Sequence, residues 1–156
     1  MTATLGDETV SIEYEPGESR TGMFGGNSNW RGPVWFPTNV LLADKLRTYG
    51  RFFGDDFRIE VPTGSGNWCT LDEAADVVDG GLAALFRPVD GRRPSDGKRI
   101  ESSPDPLWSA HPTFSEFFDG DTGEGLGATH QTGWTALVAH LLNPRLPPDP
   151  RTMGWA

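Results

Sequence analysis

Thr70-Leu71-Asp72-Glu73-Ala74-Ala75-Asp76-Val77-Val78-Asp79-Gly80-Gly81-Leu82-Ala83-Ala84-Leu85-Phe86-Arg87-Pro88 opens and closes a helix by local chemistry alone. Thr70 and Glu73 form a capping box: the hydroxyl accepts the amide three residues on, and the glutamate reaches back to the cap amide. Behind them Leu71, Ala74, Ala75, Val78, Leu82, Leu85 and Phe86 recur at helical spacing, and Pro88 stops the run. Gly80-Gly81 weakens the middle of the helix, so tight packing is expected there. Working toward the N-terminus, a second helix is expected to begin around Pro33, since a missing N–H is harmless in a first turn. Pro37 is still close enough to that start to be tolerated. Val34, Leu41, Leu42, Leu46 and Tyr49 keep the period, and Gly50 or Gly54 closes the element. Toward the C-terminus, Thr132 reads as the cap of a last helix with Trp134, Leu137, Val138, Leu141 and Leu142 on one face.

The remainder is short strands and long loops. Val10, Ile12 and Tyr14 alternate with polar residues, as do Phe57, Ile59 and Val61, and Phe114 to Phe118 is an aromatic extended stretch. Residues 22–32, 62–66 and 90–106 carry the Gly, Pro and charge of loops, the last of them exposed. The expected fold class is therefore mainly α. Three helices make a thin core, and apolar helix faces must find partners.

Composition narrows the function. The 156 residues carry a net charge of −9, which opposes binding to nucleic acid or an anionic membrane, because phosphate recognition needs a basic face. Cys69 is the single cysteine, so the chain cannot form an internal disulfide. No apolar run approaches the roughly 20 residues that span a bilayer. Met1 to Val10 lacks the basic and apolar regions of a signal peptide, and a cytoplasmic location is expected. Gly64-Ser65-Gly66 lacks the lysine of a phosphate loop. Cys69, next to a helix cap, reads as packing rather than as a nucleophile.

Six tryptophans stand against two tyrosines. Indole faces offer a sugar ring a flat surface for its C–H groups, and amide side chains offer fixed partners to its hydroxyls. Glu116 lies between Phe114 and Phe117-Phe118, where a carboxyl loses hydration and its proton affinity can be retuned. Thr113-x-x-Glu116 also fits a capping box, although no apolar helical run follows it. Trp30 and Trp35 are either sugar platforms or core aromatics. Arg31 is either a donor to hydroxyls or to a carboxylate, or one half of a salt bridge. Gln131 and His130 precede a helix start, where unpaired amides favour polar recognition; capping without a ligand is the alternative, and it is the preferred reading for His130. Asp119, Asp121 and Glu124 could collect a calcium ion, but the spacing fails the EF-hand pattern and a solvated acidic turn is the simpler reading, so no metal is assigned.

Five segments in one order carry a resemblance: Gly25-Gly26-Asn27-Ser28-Asn29-Trp30-Arg31-Gly32-Pro33-Val34-Trp35, Glu60 to Gly66, Asp90 to Pro94, Phe114-Ser115-Glu116-Phe117-Phe118, and Gly127 to Thr135 with Gln131 and Trp134. Together they resemble the C-terminal part of glycoside hydrolase family 63, from about Val10 to Leu142. The resemblance implies part of an (α/α)6 toroid over residues 1–143, followed by a Pro-rich tail over 144–156. It implies inverting hydrolysis of an α-glucoside or α-mannoside, such as an oligosaccharide or a glucosyl- or mannosylglycerate, without a cofactor. Glu116 matches the family's general base. Trp30, Arg31, Trp35, Gln131 and Trp134 match substrate-binding positions. The general acid lies upstream of the matching region, so a separately encoded N-terminal part is an expected partner beside the carbohydrate. Phe117 and Asp119 stand where the family often has Tyr and His. The alternatives are a non-catalytic carbohydrate-binding module and an inactive truncated fragment.

Overall fold

The computed structural model describes residues 2–11, 13–20, 30–98 and 105–143. They form a mainly helical fold with a few short strands. Helix α1 (Phe36–Phe53) packs along helix α2 (Leu71–Ala84), and an antiparallel hairpin of β3 (Arg58–Glu60) and β4 (Trp68–Thr70) connects the two. Strands β1 (Thr2–Leu5) and β2 (Glu8–Ser11) pair at the N-terminus around Gly6. The alternation expected from Val10 to Tyr14 therefore shifts: Val10 belongs to β2, Ile12 lies outside the described residues, and Tyr14 follows the strand.

Helix α2 starts as its sequence dictates. The Thr70 hydroxyl accepts the Glu73 amide at 3.2 Å, and the Glu73 carboxylate accepts the Thr70 amide at 2.7 Å. Those contacts hold the Glu73 carboxyl below the ordinary carboxylate range. Arg47 of α1 ties the two helices together through Asp76 at 2.6 Å and Asp79 at 2.7 Å. The connecting loop is closed by Glu60, whose carboxylate accepts the amides of Gly64 and Gly66, at 2.8 and 2.6 Å. Both glycines have φ near +80°, which a side chain would oppose. Gly80 and Gly81, however, are exposed with open space where a side chain would be, so the expected tight packing is absent.

Helix α1 begins at Phe36, three residues past Pro33. Val34 is instead held extended by two backbone hydrogen bonds with Phe118, at 2.8 and 3.0 Å, and Trp35 caps the helix in an extended conformation. Phe118 and Phe117 form β5 (Phe117–Phe118), paired with β6 (Gly125–Leu126). Phe118 inserts between Phe36 at 5.5 Å and Phe86 at 5.8 Å, ring to ring, and Leu82 and Val138 complete the core. In the loop expected over 90–106, Asp90, Gly91, Arg92 and Lys98 are exposed, residues 99–104 lie outside the described residues, and the middle of 90–98 is not free. A 3-10 turn, Pro94–Asp96, buries Ser95 against the end of α2, where the Ser95 amide donates to Leu85. Short helix α3 (Pro106–Ala110) follows, capped by Asp105.

The last helix is two pieces, α4 (Thr132–Thr135) and α5 (Val138–Leu142). Gln131, not Thr132, holds the cap position. The Thr132 hydroxyl turns back to donate to the His130 carbonyl, and that of Thr135 donates to the Ser115 carbonyl at 2.5 Å. Leu137 and Leu142 are exposed rather than packed. On α1, Leu41, Leu42, Tyr49, Phe52 and Phe53 also face solvent, Phe52 at 80% exposure. Among the described residues no helix is long and apolar enough to cross a membrane. The tail at 144–156 and the motif residues 25–29 lie outside the described residues.

Candidate functional site

Four rings from three stretches of the chain meet at the start of α1. Trp35 is buried and acts as the hub. Trp30 stacks on it at 4.4 Å and 9°, Phe117 stacks on it at 4.8 Å, and Trp134 meets it edge-on at 6.1 Å. Trp35 is fixed through its backbone, because its carbonyl accepts the Thr38 hydroxyl at 3.0 Å and the Asn39 side-chain amide at 2.8 Å. Phe117 is held at 1% exposure by β5. Trp30 forms the outer layer and is 56% exposed, so the stack ends in an indole face open to solvent. A planar apolar face of that kind can take the C–H side of a pyranose ring.

Glu116 sits beside this stack. It is in extended backbone, and its amide donates to Ala128 at 2.9 Å. One carboxylate oxygen, Oε2, accepts the Ala128 amide at 3.0 Å. Oε1 has no hydrogen bond among the described residues. The alternative capping box is absent, since no helix follows Thr113. Gly127, with φ +69°, makes the arrangement possible: a side-chain carbon there would lie 2.7 Å from Glu116 Oε2 and 2.7 Å from the Phe117 ring. The carboxylate and the inner ring thus share one glycine. The carboxylate is anchored through one oxygen, which leaves the other able to accept a proton from water or a hydroxyl.

Gln131 caps α4. Its amide donates to Phe114 at 2.8 Å and its carbonyl accepts from Thr135, while its half-buried side-chain amide has no hydrogen bond among the described residues. The Trp134 indole N–H and the Ser115 hydroxyl are buried with no hydrogen-bond partner among the described residues. His130 is exposed, and its left-handed backbone, φ +64°, carries the turn. Arg31 is ion-paired with Glu15 at 3.0 Å, and Glu15 is 6% exposed. Nothing in the local sequence marked Glu15, whose burial depends on a partner sixteen residues away. Gly127 was visible as a motif glycine, but its contact with Glu116 arises only from the β5–β6 pairing.

The acidic turn spends its carboxylates separately. Asp119 Oδ1 accepts the amides of Asp121 and Thr122 and the Thr122 hydroxyl, at 2.8 to 3.0 Å. Partial burial pushes the Asp119 carboxyl up, but these bonds and Lys98 outweigh it and hold it below its ordinary range. Asp121 accepts the Tyr14 hydroxyl at 2.9 Å, and Glu124 accepts the Lys98 amide at 3.1 Å. Among the described residues no three His, Cys, Asp or Glu side chains converge as metal ligands. A groove of about 420 Å³ runs between α2 and residues 119–123, past Val77, Gly81 and Pro94. Glu116 and the ring stack do not line it; aliphatic side chains of α2 form one wall, and the turn carrying Asp119, Asp121 and Thr122 forms the other.

No family model matches the chain, and no solved structure matches it. Uncharacterized protein YMR196W of Saccharomyces cerevisiae is 48% identical over 136 residues, 85% of this chain and 12% of that protein. Mannosyl-oligosaccharide glucosidase of the same yeast is 25% identical over 120 residues, 76% of this chain and 11% of the glucosidase. The chain thus spans about an eighth of the length of the curated relatives it matches, and its similarity to a glucosidase is distant and partial.

Proposed function

We propose, taking the partial likeness to a glucosidase as premise, that the Trp30–Trp35–Phe117 stack and Glu116 form one wall of an α-glycoside-hydrolysing site. In this reading the chain is part of a larger (α/α)6 catalytic domain. The observation that carries it is the geometry of Glu116: one oxygen anchored on Ala128, the other without a hydrogen bond among the described residues, beside an indole stack whose outer face meets solvent.

In the proposed mechanism Trp30 receives the apolar face of the sugar. Gln131 and Arg31 supply hydrogen bonds to hydroxyls, while Trp134 braces the stack edge-on against Trp35. Glu116 draws a proton from a water that attacks the anomeric carbon. The bond to the leaving oxygen breaks as a carboxylic acid on the opposite side delivers a proton to it, which inverts the anomeric configuration. That acid must stand roughly 6.5–9.5 Å from Glu116 to leave space for the water. It would come from sequence upstream of the matching region. The unpartnered apolar face of α1 also supports a larger domain, since such faces are normally covered.

The test is hydrolysis of an α-glucoside by the polypeptide that supplies both carboxyls. Glu116→Gln should lower kcat at least about a thousandfold, consistent with loss of a positioned base and its charge, while KM changes little. Undiminished turnover would remove Glu116 from the reaction.

A further inference from the structure

A buried acid that the mechanism leaves unused lies beneath the Trp30–Arg31 turn. Glu15 Oε2 accepts Arg31 Nη2 at 3.0 Å and the Ser19 hydroxyl at 3.2 Å, and Oε1 accepts Arg20 Nε at 3.4 Å. Arg20 in turn reaches Glu13 at 3.0 Å. The backbones also meet: the Glu15 amide donates to the Arg31 carbonyl at 3.4 Å, and any side chain at Gly32 would overlap the Glu15 carbonyl. Two guanidinium groups and two carboxylates are therefore gathered at this corner, with a net charge of zero.

We infer that Glu15 is a specificity-determining residue that cancels the charge of Arg31, so that the site beside Trp30 takes a neutral saccharide and disfavours one bearing a carboxylate. The inference rests on the sugar-site reading of the ring stack. An unpaired arginine next to an indole platform would reward an anionic ligand through Coulomb attraction. A compensated one still offers N–H donors to hydroxyls but gives an anion little electrostatic return. Asp119 lies against Gly17, two residues from Glu15, and its negative charge moves the preference the same way.

The experiment has two arms. In the first, tryptophan fluorescence is titrated with methyl α-D-glucopyranoside and with methyl α-D-glucopyranosiduronate, the same ring carrying a carboxylate. The wild type should prefer the neutral sugar. Glu15→Gln should raise affinity for the uronate about fivefold, the scale of one uncompensated charge in a partly solvated site, and leave the neutral sugar unchanged. In the second arm no sugar is needed. Iodide, an anion, and acrylamide, a neutral molecule, are compared as quenchers of Trp30, taken as the difference between the chain and its Trp30→Phe variant. Glu15→Gln should raise iodide quenching, Arg31→Gln should lower it, and the double variant should return to the wild-type value, with acrylamide unchanged throughout.

Equal shifts for both sugars, or iodide quenching that tracks acrylamide, would overturn the inference and make Glu15 a structural anchor only. A wild type that prefers the uronate overturns it as well, while leaving the sugar site intact. If neither sugar binds but iodide responds as stated, the saccharide reading falls and charge compensation at Arg31 stands.

Discussion

Replacing Gly127 by alanine tests the coupling between Glu116 and the ring stack. The new Cβ would lie 2.7 Å from Glu116 Oε2, 2.7 Å from a Phe117 ring carbon and 3.0 Å from Glu116 Cβ. Phe117 is 1% exposed, so its ring has no space to swing into. Overpacking of this kind costs about 1–3 kcal/mol. The backbone at φ +69° adds about 1–2 kcal/mol for a residue with a side chain. Gly64→Ala supplies the control, since Gly64 has φ +83° and nothing within 4 Å of the added carbon. Urea denaturation followed by tryptophan fluorescence should therefore show Gly127→Ala less stable than Gly64→Ala by about 1–3 kcal/mol. Adding Glu116→Ala to Gly127→Ala should recover part of that difference, because one of the clashing groups is gone. If the two glycine variants are equally destabilised, Glu116 does not sit over Gly127 and the proposed anchoring of its carboxylate is wrong.

Other outcomes follow from single contacts. Thr70→Ala should lower stability by about 1 kcal/mol with an unchanged denaturant slope, and no change would mean that the cap does not hold α2. Phe118→Ala should cost about 3–5 kcal/mol, since Phe118 fills the space between Phe36 and Phe86, and a loss under 1 kcal/mol would show that the core closes without it. The native carboxyls of Glu73 and Asp119 are held below their unfolded values, so their stabilisation is present above the unfolded pKa and disappears as pH falls through the native one. Urea midpoints should stay level near neutrality and fall below about pH 4, less steeply in Asp119→Asn, and an equal fall in that variant would contradict the assignment.

What the sequence made legible was local. The Thr70–Glu73 box fixes the start of α2 within one stretch of chain, and the structure keeps that start, although the helix ends at Ala84, before the Leu85-Phe86 pair expected to continue it to Pro88. Long-range contacts decided the rest. Val34 has helical spacing, yet the backbone of Phe118 holds it extended and delays α1 to Phe36. The last helix is interrupted at Ala136-Leu137, and Thr132, whose hydroxyl goes to the His130 carbonyl, yields the cap position to Gln131. Gly80-Gly81 suggested close approach, but open space adjoins it. Among the candidate site residues, Trp30, Trp35 and Trp134 stood out by residue type and do meet. The order of the stack, with Phe117 as its inner layer, depends on β5 and was not readable. Glu15 was invisible for the same reason.

The bare side of α1 has a thermodynamic consequence. Tyr49, Phe52, Phe53 and Phe57 touch one another yet are 44% to 80% exposed, so their rings are already hydrated before the chain unfolds. Melting then wets less new hydrocarbon than in an ordinary chain of this length. The heat-capacity increment measured by calorimetry should fall below the usual ~12–15 cal/mol/K per residue, and the stability curve should be correspondingly shallow across temperature.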